Sequence, residues 1–294
     1  MSSEYQSHSD WLLQEQFVLG KSGTEEKCED LLVCSSRFVG LIDSYSGFAP
    51  SVNSLSQATV GRLIGIEVLE AFKAATKNDD IYEVVSDATR RVKALKISLD
   101  ADSRHMGGCF FCVFDLQTNQ IFRVGDCWFM TDSDVNKPTL AVEEPLTEIR
   151  VAYLQARLLS GESIADLMEG QPERAILTEY LKVKDYYSNS WGSDRGYGVI
   201  NGDDVPVGFV ETFDVPEFTQ RVCIGTDGYP EPGQTLEILE SRLARIVASD
   251  PLCINQYRGP KGLLPGNLSF DDRAFISLQK RAETKRLNGR AFSA

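Results

Sequence analysis

Histidine is the scarcest chemistry-bearing residue in this chain of 294: there are two, His8 and His105, far apart in sequence. That excludes a histidine-rich zinc or iron centre and leaves oxygen as the donor for any metal. Positive charge is also in short supply. Lys and Arg number 30 against 43 Asp and Glu, and the resulting charge of -13 repels nucleic-acid phosphates and anionic lipid. One local concentration of basic residues, Lys280, Arg281, Lys285, Arg286 and Arg290, reads as a solvated helix end or tail. Neither nucleic acid nor a membrane is therefore an expected partner. Apolar runs are a handful of residues long, short of the roughly 20 that a spanning helix needs. The seven cysteines are irregularly spaced and cannot all pair within one chain, and MSSEYQSHSDW has no basic-then-apolar leader pattern, so a reducing, cytoplasmic location is expected. Also missing are a Gly-x-Gly-x-x-Gly after a strand and a Gly-x-x-x-x-Gly-Lys-Ser/Thr, without which dinucleotide and Walker-type sites lose their backbone cradle.

Apolar material is ample, at 42% of residues with 10% aromatic, and enough for one large core. The expected organisation is a flexible N-terminus over 1–15, a single domain over 16–280 and a basic tail over 281–294. Strands are expected at Leu31–Cys34 and Phe38–Ile42, a hairpin ending in the turn Asp43-Ser44-Tyr45-Ser46-Gly47. Apolar residues at three- and four-residue spacing predict helices over about 54–75 and 81–96. Strands over 109–115, 120–124 and 127–130 read as a meander. Residues 142–184 have helical spacing and 185–213 read as irregular. A short strand at Val222–Gly225, an amphipathic helix over 236–248 and a last strand at Ala274–Leu278 complete the chain. Strands grouped together with helices between the groups predict an α+β fold of antiparallel sheets with helices outside.

Asp43, Asp126, Asp227 and Asp271 each stand at a strand boundary beside a small or turn-forming residue, and Glu29-Asp30 precedes the first expected strand. Singly, such residues are ordinary turn formers. Brought into one cleft, they would repel one another until protonated or neutralised by a divalent cation. Hard ions of the Mg²⁺ or Mn²⁺ type suit an Asp-rich, His-poor set, and a pair of them activates water for attack on a phosphoryl group.

In order and surroundings these segments resemble the metal-dependent protein phosphatase 2C family, in particular its bacterial members. The resemblance rests on Glu29-Asp30, Asp43-Ser44-Tyr45-Ser46-Gly47, Gly107-Gly108-Cys109, Val124-Gly125-Asp126-Cys127, Thr226-Asp227-Gly228 and Asp271-Asp272, spread over about 20–279. It implies two packed antiparallel β-sheets flanked by helices, an αββα sandwich. It implies two Mn²⁺ or Mg²⁺ ions, with Asp43 bridging, Ser44 lending its carbonyl, and Asp227 and Asp271 completing one shell. Asp126, aided by Glu231, would hold a looser third ion, and Glu29 and Asp30 would hold metal-bound water behind the ligands. The implied activity is hydrolysis of phosphoserine and phosphothreonine by direct attack of water, with Asp43, Asp227 and Asp271 carrying catalysis. A phosphorylated protein is the implied substrate, with a serine/threonine kinase or that kinase's target as a partner.

The chain departs from the family pattern at three places. Ser44 replaces a glycine, Tyr45 stands where many members have a His, and Glu25 replaces the Arg that grips phosphate, which leaves Lys27 and Lys21 as point charges for that task. Two functions stay open on these residues: the phosphatase, and a pseudophosphatase of the same fold that binds without turnover. An aspartyl-phosphate hydrolase of the haloacid dehalogenase kind would need a second Asp where Tyr45 stands.

Overall fold

A computed structural model describes residues 10–47, 58–99, 105–132 and 134–282. In chain order these form β1 (Trp11–Leu19), β2 (Leu31–Cys34), β3 (Phe38–Ser46), α1 (Val60–Ala74), α2 (Ile81–Ser98), β4 (Gly107–Asp115), β5 (Gln120–Val124), β6 (Trp128–Thr131) and β7 (Asp134–Asn136). There follow α3 (Glu144–Leu159), α4 (Ile164–Gly170), α5 (Glu173–Lys184), β8 (Glu211–Asp214), β9 (Arg221–Gly225), α6 (Leu236–Ser249) and β10 (Arg273–Lys280). The strands build two antiparallel sheets of five, ordered β1-β10-β9-β6-β7 and β2-β3-β4-β5-β8.

Alternation along the strands sorts side chains into layers. In β3, Val39 and Leu41 face the other sheet and meet Val222, Ile224 and Ile276. Phe38 and Ile42 face the opposite way, onto Ile64, Val68 and Phe72 of α1 and Val85 and Val92 of α2. Across the second sheet, Leu239, Leu243 and Ile246 of α6 cover Trp128, Cys223 and Phe275. The result is helix, sheet, sheet, helix, each interface closed by side chains worth about 1.5–3 kcal/mol apiece on burial. Helix starts are set locally: Thr59 caps the Arg62 amide, and Asp80 with Glu83 forms a reciprocal capping box.

The α+β class and both sheets agree with the expectation; several elements do not. Residues 10–15, expected to be flexible, belong to β1 or lead directly into it. That strand lies at a sheet edge with a bulge between Leu13 and Glu15, and its Gln14-Glu15-Gln16 interruption hides the period-2 signal. Asp43–Ser46 are not a turn but the last residues of β3, paired with Gly107–Phe110. The expected meander breaks at Gly125, whose φ of +93° lets the chain leave one sheet and enter the other, so that β6 pairs with β9 and β7 rather than β5. Phe110 fills the space a Cβ at Gly125 would need. Residues 142–184 divide into three helices, and the short strands β7 and β8 carry too few residues to show a pattern. Cys109 and Cys112 lie in two different cores, as strand geometry expects. Positions 54–57 of the expected first helix, His8, and Lys285, Arg286 and Arg290 lie outside the described residues.

Candidate functional site

Register alone gathers the acids. Leu19 pairs with Arg273, Phe275 with Gly225, and Gly225 with Trp128, so the ends of β1 and β9 lie beside the starts of β10 and β6. Lys21, Asp126, Asp227 and Asp271 occupy those ends. In the facing sheet, Leu31 pairs with Ile42 and Asp43 with Phe110, which sets Asp30 and Asp43 at the same edge of the sandwich. Asp43, Asp126, Asp227 and Asp271 line one cavity of about 450 Å³ together with Lys21, Glu29, Glu143 and Lys261. Tyr45, Phe110 and Tyr197, with Leu146 of α3 and Leu177 of α5, form its apolar wall. Arg150 and Glu173, 3.3 Å apart, tie α3 to α5 above it, and Arg150 Nη1 donates to the Leu252 carbonyl at 2.7 Å.

Each acid is positioned differently. Asp43 shares the inter-sheet side of β3 with Leu41, whereas Ser44 points the other way, its Oγ buried without a hydrogen-bond partner and directed at Gly65 of α1. The Ser44 backbone is not in the left-handed region, so serine is accommodated there without strain. Cys109, opposite Ser44, bonds through both its amide and its carbonyl to Ile200, which turns the Ser44 peptide groups away from β4. Asp30, 2% exposed, accepts from Thr226 Oγ1 at 2.7 Å, and Thr226 Oγ1 accepts the Ala274 amide at 2.9 Å. Asp272 accepts the Lys21 and Glu29 amides, both at 2.8 Å. Glu29 in turn takes the amide and hydroxyl of Ser46.

Electrostatically the cavity has two halves. Burial, then repulsion from Asp30, Asp227 and Asp126, raises the pKa of Asp43 well above the carboxylate range. Burial and Asp227 do the same to Asp126, and burial with Asp271 brings Asp227 to about 6. No donor among the described residues bonds to the Asp43 or Asp227 carboxylate, and Asp126 Oδ1 is buried without a partner. Asp271 is the opposite case. Burial pushes its pKa up, but Lys261 and Lys21 outweigh it and hold the carboxyl at about 2. Lys21 Nζ lies 3.2 Å from Asp271 Oδ1, and Lys261 Nζ contacts Oδ2.

The donor chemistry of Asp43, Asp126 and Asp227 is of the kind a hard divalent cation takes: all donors are oxygen, and the buried Asp126 Oδ1 lacks a hydrogen-bond partner. Asp271, with both oxygens taken by ammonium groups, does not fit as a ligand in this arrangement. Among the described residues no three His, Cys, Asp or Glu side chains are gathered closely enough to cage an ion as they stand.

The remaining expected residues divide. Lys21 reaches the cavity; Lys27 is exposed and does not line it. Glu231 is not in the site but exposed beside α6, 3.6 Å from Arg242 Nε and 3.5 Å from Arg245 Nη2. Two arginines one helical turn apart draw it outward. His105 pairs with Asp185 at 3.2 Å. Sequence reasoning missed Lys261, Lys137 and Glu143. Burial lowers the pKa of Lys137 and outweighs the opposing field of Asp227, Asp126 and Glu231. Lys261 sits in the irregular segment Gly-Pro-Lys-Gly, and no spacing rule connects such a segment to Asp271, ten residues on.

No protein-family model matches the chain, and no curated relative does either. Among solved structures, it is similar to a bacterial serine phosphatase at 11% identity, over 94% of this chain and 99% of that one, with a TM-score of 0.48. The catalytic domain of the serine/threonine protein phosphatase PstP, solved in complex with two manganese ions, is 11% identical over 92% of this chain and all of that one, TM-score 0.45. The serine/threonine phosphatase Stp1 from Staphylococcus aureus is 11% identical over 96% and 93%, TM-score 0.42.

Proposed function

We propose that this chain hydrolyses phosphoserine and phosphothreonine monoesters of a phosphorylated protein, a kinase or that kinase's target, with the help of Mn²⁺ or Mg²⁺. One observation carries the reading: a single cavity sets the carboxylates of Asp43, Asp126 and Asp227 beside the ammonium groups of Lys21 and Lys261. The carboxylates would hold the cation, which supplies Lewis acidity toward water and phosphate. Asp30, fixed by Thr226, and Glu29, fixed by Ser46, stand beside them and would hold cation-bound water. Lys21 and Lys261 offer N–H donors to phosphoryl oxygens, the task for which the chain lacks the family's Arg. Tyr45, Phe110 and Leu177 exclude bulk water from the substrate side, which strengthens every charge interaction within.

Direct attack by water, with no covalent enzyme intermediate, is supported by the state of the nearby nucleophiles. Burial, reinforced by Asp43, pushes the Cys109 and Cys127 thiols up, so they stay protonated. Ser44 Oγ has no base to activate it. The occupation of Asp271 by two lysines favours a second reading, a phosphate-binding module without turnover. Mn²⁺-dependent hydrolysis of a phosphopeptide separates the two. The enzyme reading expects Asp43→Asn and Asp227→Asn each to lose about 10²-fold or more in kcat/KM, the scale of removing one preorganised electrostatic contact. Equal rates in native and variant proteins would reject it.

A further inference from the structure

Lys21, Arg150, Arg174, Lys184 and Lys261 line the cavity, and all but one of these cations are engaged with an acid. Lys21 Nζ lies 3.2 Å from Asp271 and 3.8 Å from Asp272, and Lys261 Nζ contacts the other oxygen of Asp271. Lys184 Nζ lies 3.4 Å from Glu143, and Arg150 Nε lies 3.3 Å from Glu173. Among the described residues, none makes an ion pair or a hydrogen bond with the guanidinium of Arg174. Arg174 is exposed and still lines the cavity, which places it at the mouth. Helical spacing accounts for this: Leu177, Thr178 and Leu181 of α5 line the same cavity, and Arg174 stands one turn before the first two. The start of α5 is fixed from behind. Arg150, 2% exposed, holds Glu173, the neighbour of Arg174, and its Nη1 donates to the Leu252 and Gly259 carbonyls at 2.7 and 3.2 Å.

Building on the phosphatase reading above, we propose that Arg174 grips the phosphoryl group of the substrate, reaching it from the helical roof rather than from the strand ends. A phosphate dianion that enters the cavity meets the carboxylates of Asp43, Asp126 and Asp227, and the charges of Lys21 and Lys261 are shared with Asp271 and Asp272. Arg174 brings a charge that no carboxylate shares. Its guanidinium stays protonated at every working pH and presents N–H groups in a planar fork that matches two phosphoryl oxygens. No internal bond is broken when it turns to the ligand. Because Arg150 and Glu173 anchor the helix start, only side-chain torsions of Arg174 need ordering, which keeps the cost of binding low.

Calorimetric titration of the full chain with inorganic phosphate in excess Mg²⁺ tests this without depending on turnover, with melting curves to confirm that each variant is folded. Arg174→Ala should weaken phosphate binding by about 10–100-fold, the scale of a hydrogen-bonded contact between charged groups. Arg174→Lys, which keeps the charge without the fork, should recover part of that loss. With a phosphoserine peptide of otherwise uncharged side chains, Arg174→Ala should raise KM by a similar factor. Equal phosphate affinity in native and Arg174→Ala proteins would overturn the proposal and leave the phosphatase reading standing. It would do so even where KM for an acidic peptide rises, since the guanidinium would then be reading a neighbouring carboxylate. No phosphate bound by the native chain would also overturn it. Phosphate binding that Arg174→Ala weakens, with no hydrolysis by the native chain, would sustain the role of Arg174 and reject the enzyme reading instead.

Discussion

Thr226 joins two layers through one oxygen: it donates to Asp30 at 2.7 Å and accepts the Ala274 amide at 2.9 Å. Asp30 is buried and its pKa is driven up, first by burial and then, against the Thr226 bond, by Asp272 and Asp271. Removing the hydroxyl takes away the bond that favours its charged form. Thr226→Val should therefore lower Mn²⁺ affinity by about 10–100-fold, the usual cost of losing a support behind a metal ligand, while Thr226→Ser keeps most of it. Equal Mn²⁺ titrations of native and Val proteins would show that Asp30 plays no such part. At this scale the sequence was partly legible. That Asp43, Asp126 and Asp227 gather in one cavity could be anticipated because a strand boundary next to a small residue leaves a pattern. Lys261 could not, since its partner is made by the tertiary path of a loop. Glu231 was misplaced because spacing after Asp227 says nothing of Arg242 and Arg245 on the helix that follows.

Among the elements, α1 is the one whose approach sets the site. Gly61 and Gly65 let it lie directly on β3: a Cβ at Gly65 would stand 2.3 Å from Ser44 Oγ, and one at Gly61 2.6 Å from the Tyr45 carbonyl carbon. Overpacking of this kind costs about 1–3 kcal/mol, which urea unfolding of Gly65→Ala should register. Ser44→Ala in the same chain removes the clashing oxygen and should return most of that loss. A double variant no more stable than Gly65→Ala would place the strain elsewhere. The helices α1, α2 and α6 were readable because their apolar stripes are long and their caps conventional. β1 was missed because its polar centre follows an edge and a bulge, and the assignment of β6 to the wrong sheet followed from treating Gly125 as an ordinary turn.

For the molecule as a whole, the acid cluster makes stability depend on pH. In the cation-free protein Asp227 titrates at about 6, against an ordinary value of 3.8, and Asp43 and Asp126 move the same way. Between about 4 and 6 the folded chain keeps a proton the unfolded chain has released, so folding is favoured as pH falls through that window and the penalty is complete above it. Asp271, held at about 2, contributes with the opposite sign, its stabilisation lost only below about 4. In chelator, the melting temperature should be higher at pH 5 than at pH 7 by a few degrees, as about 1 kcal/mol shifts it by roughly 2–4 °C at this size. Added Mn²⁺ should remove the difference, and Asp227→Asn should flatten it. A native melting temperature that falls from pH 7 to pH 5 would contradict the electrostatic account.

The pairing of Trp11–Leu19 with Arg273–Lys280 has a consequence for how the chain comes into being. During synthesis the first strand must wait, its apolar side chains without a neighbour, until nearly the last described residue has left the ribosome. The layer that holds β1 cannot close from a nascent fragment, whereas the layer β2-β3-β4-β5-β8 has all its strands by Asp214, and Lys21 cannot meet Asp271 before the first layer closes. The acidic cleft is complete only once β10 is in place, so a product interrupted just after Asp272 would carry all the acids without the strand that encloses them.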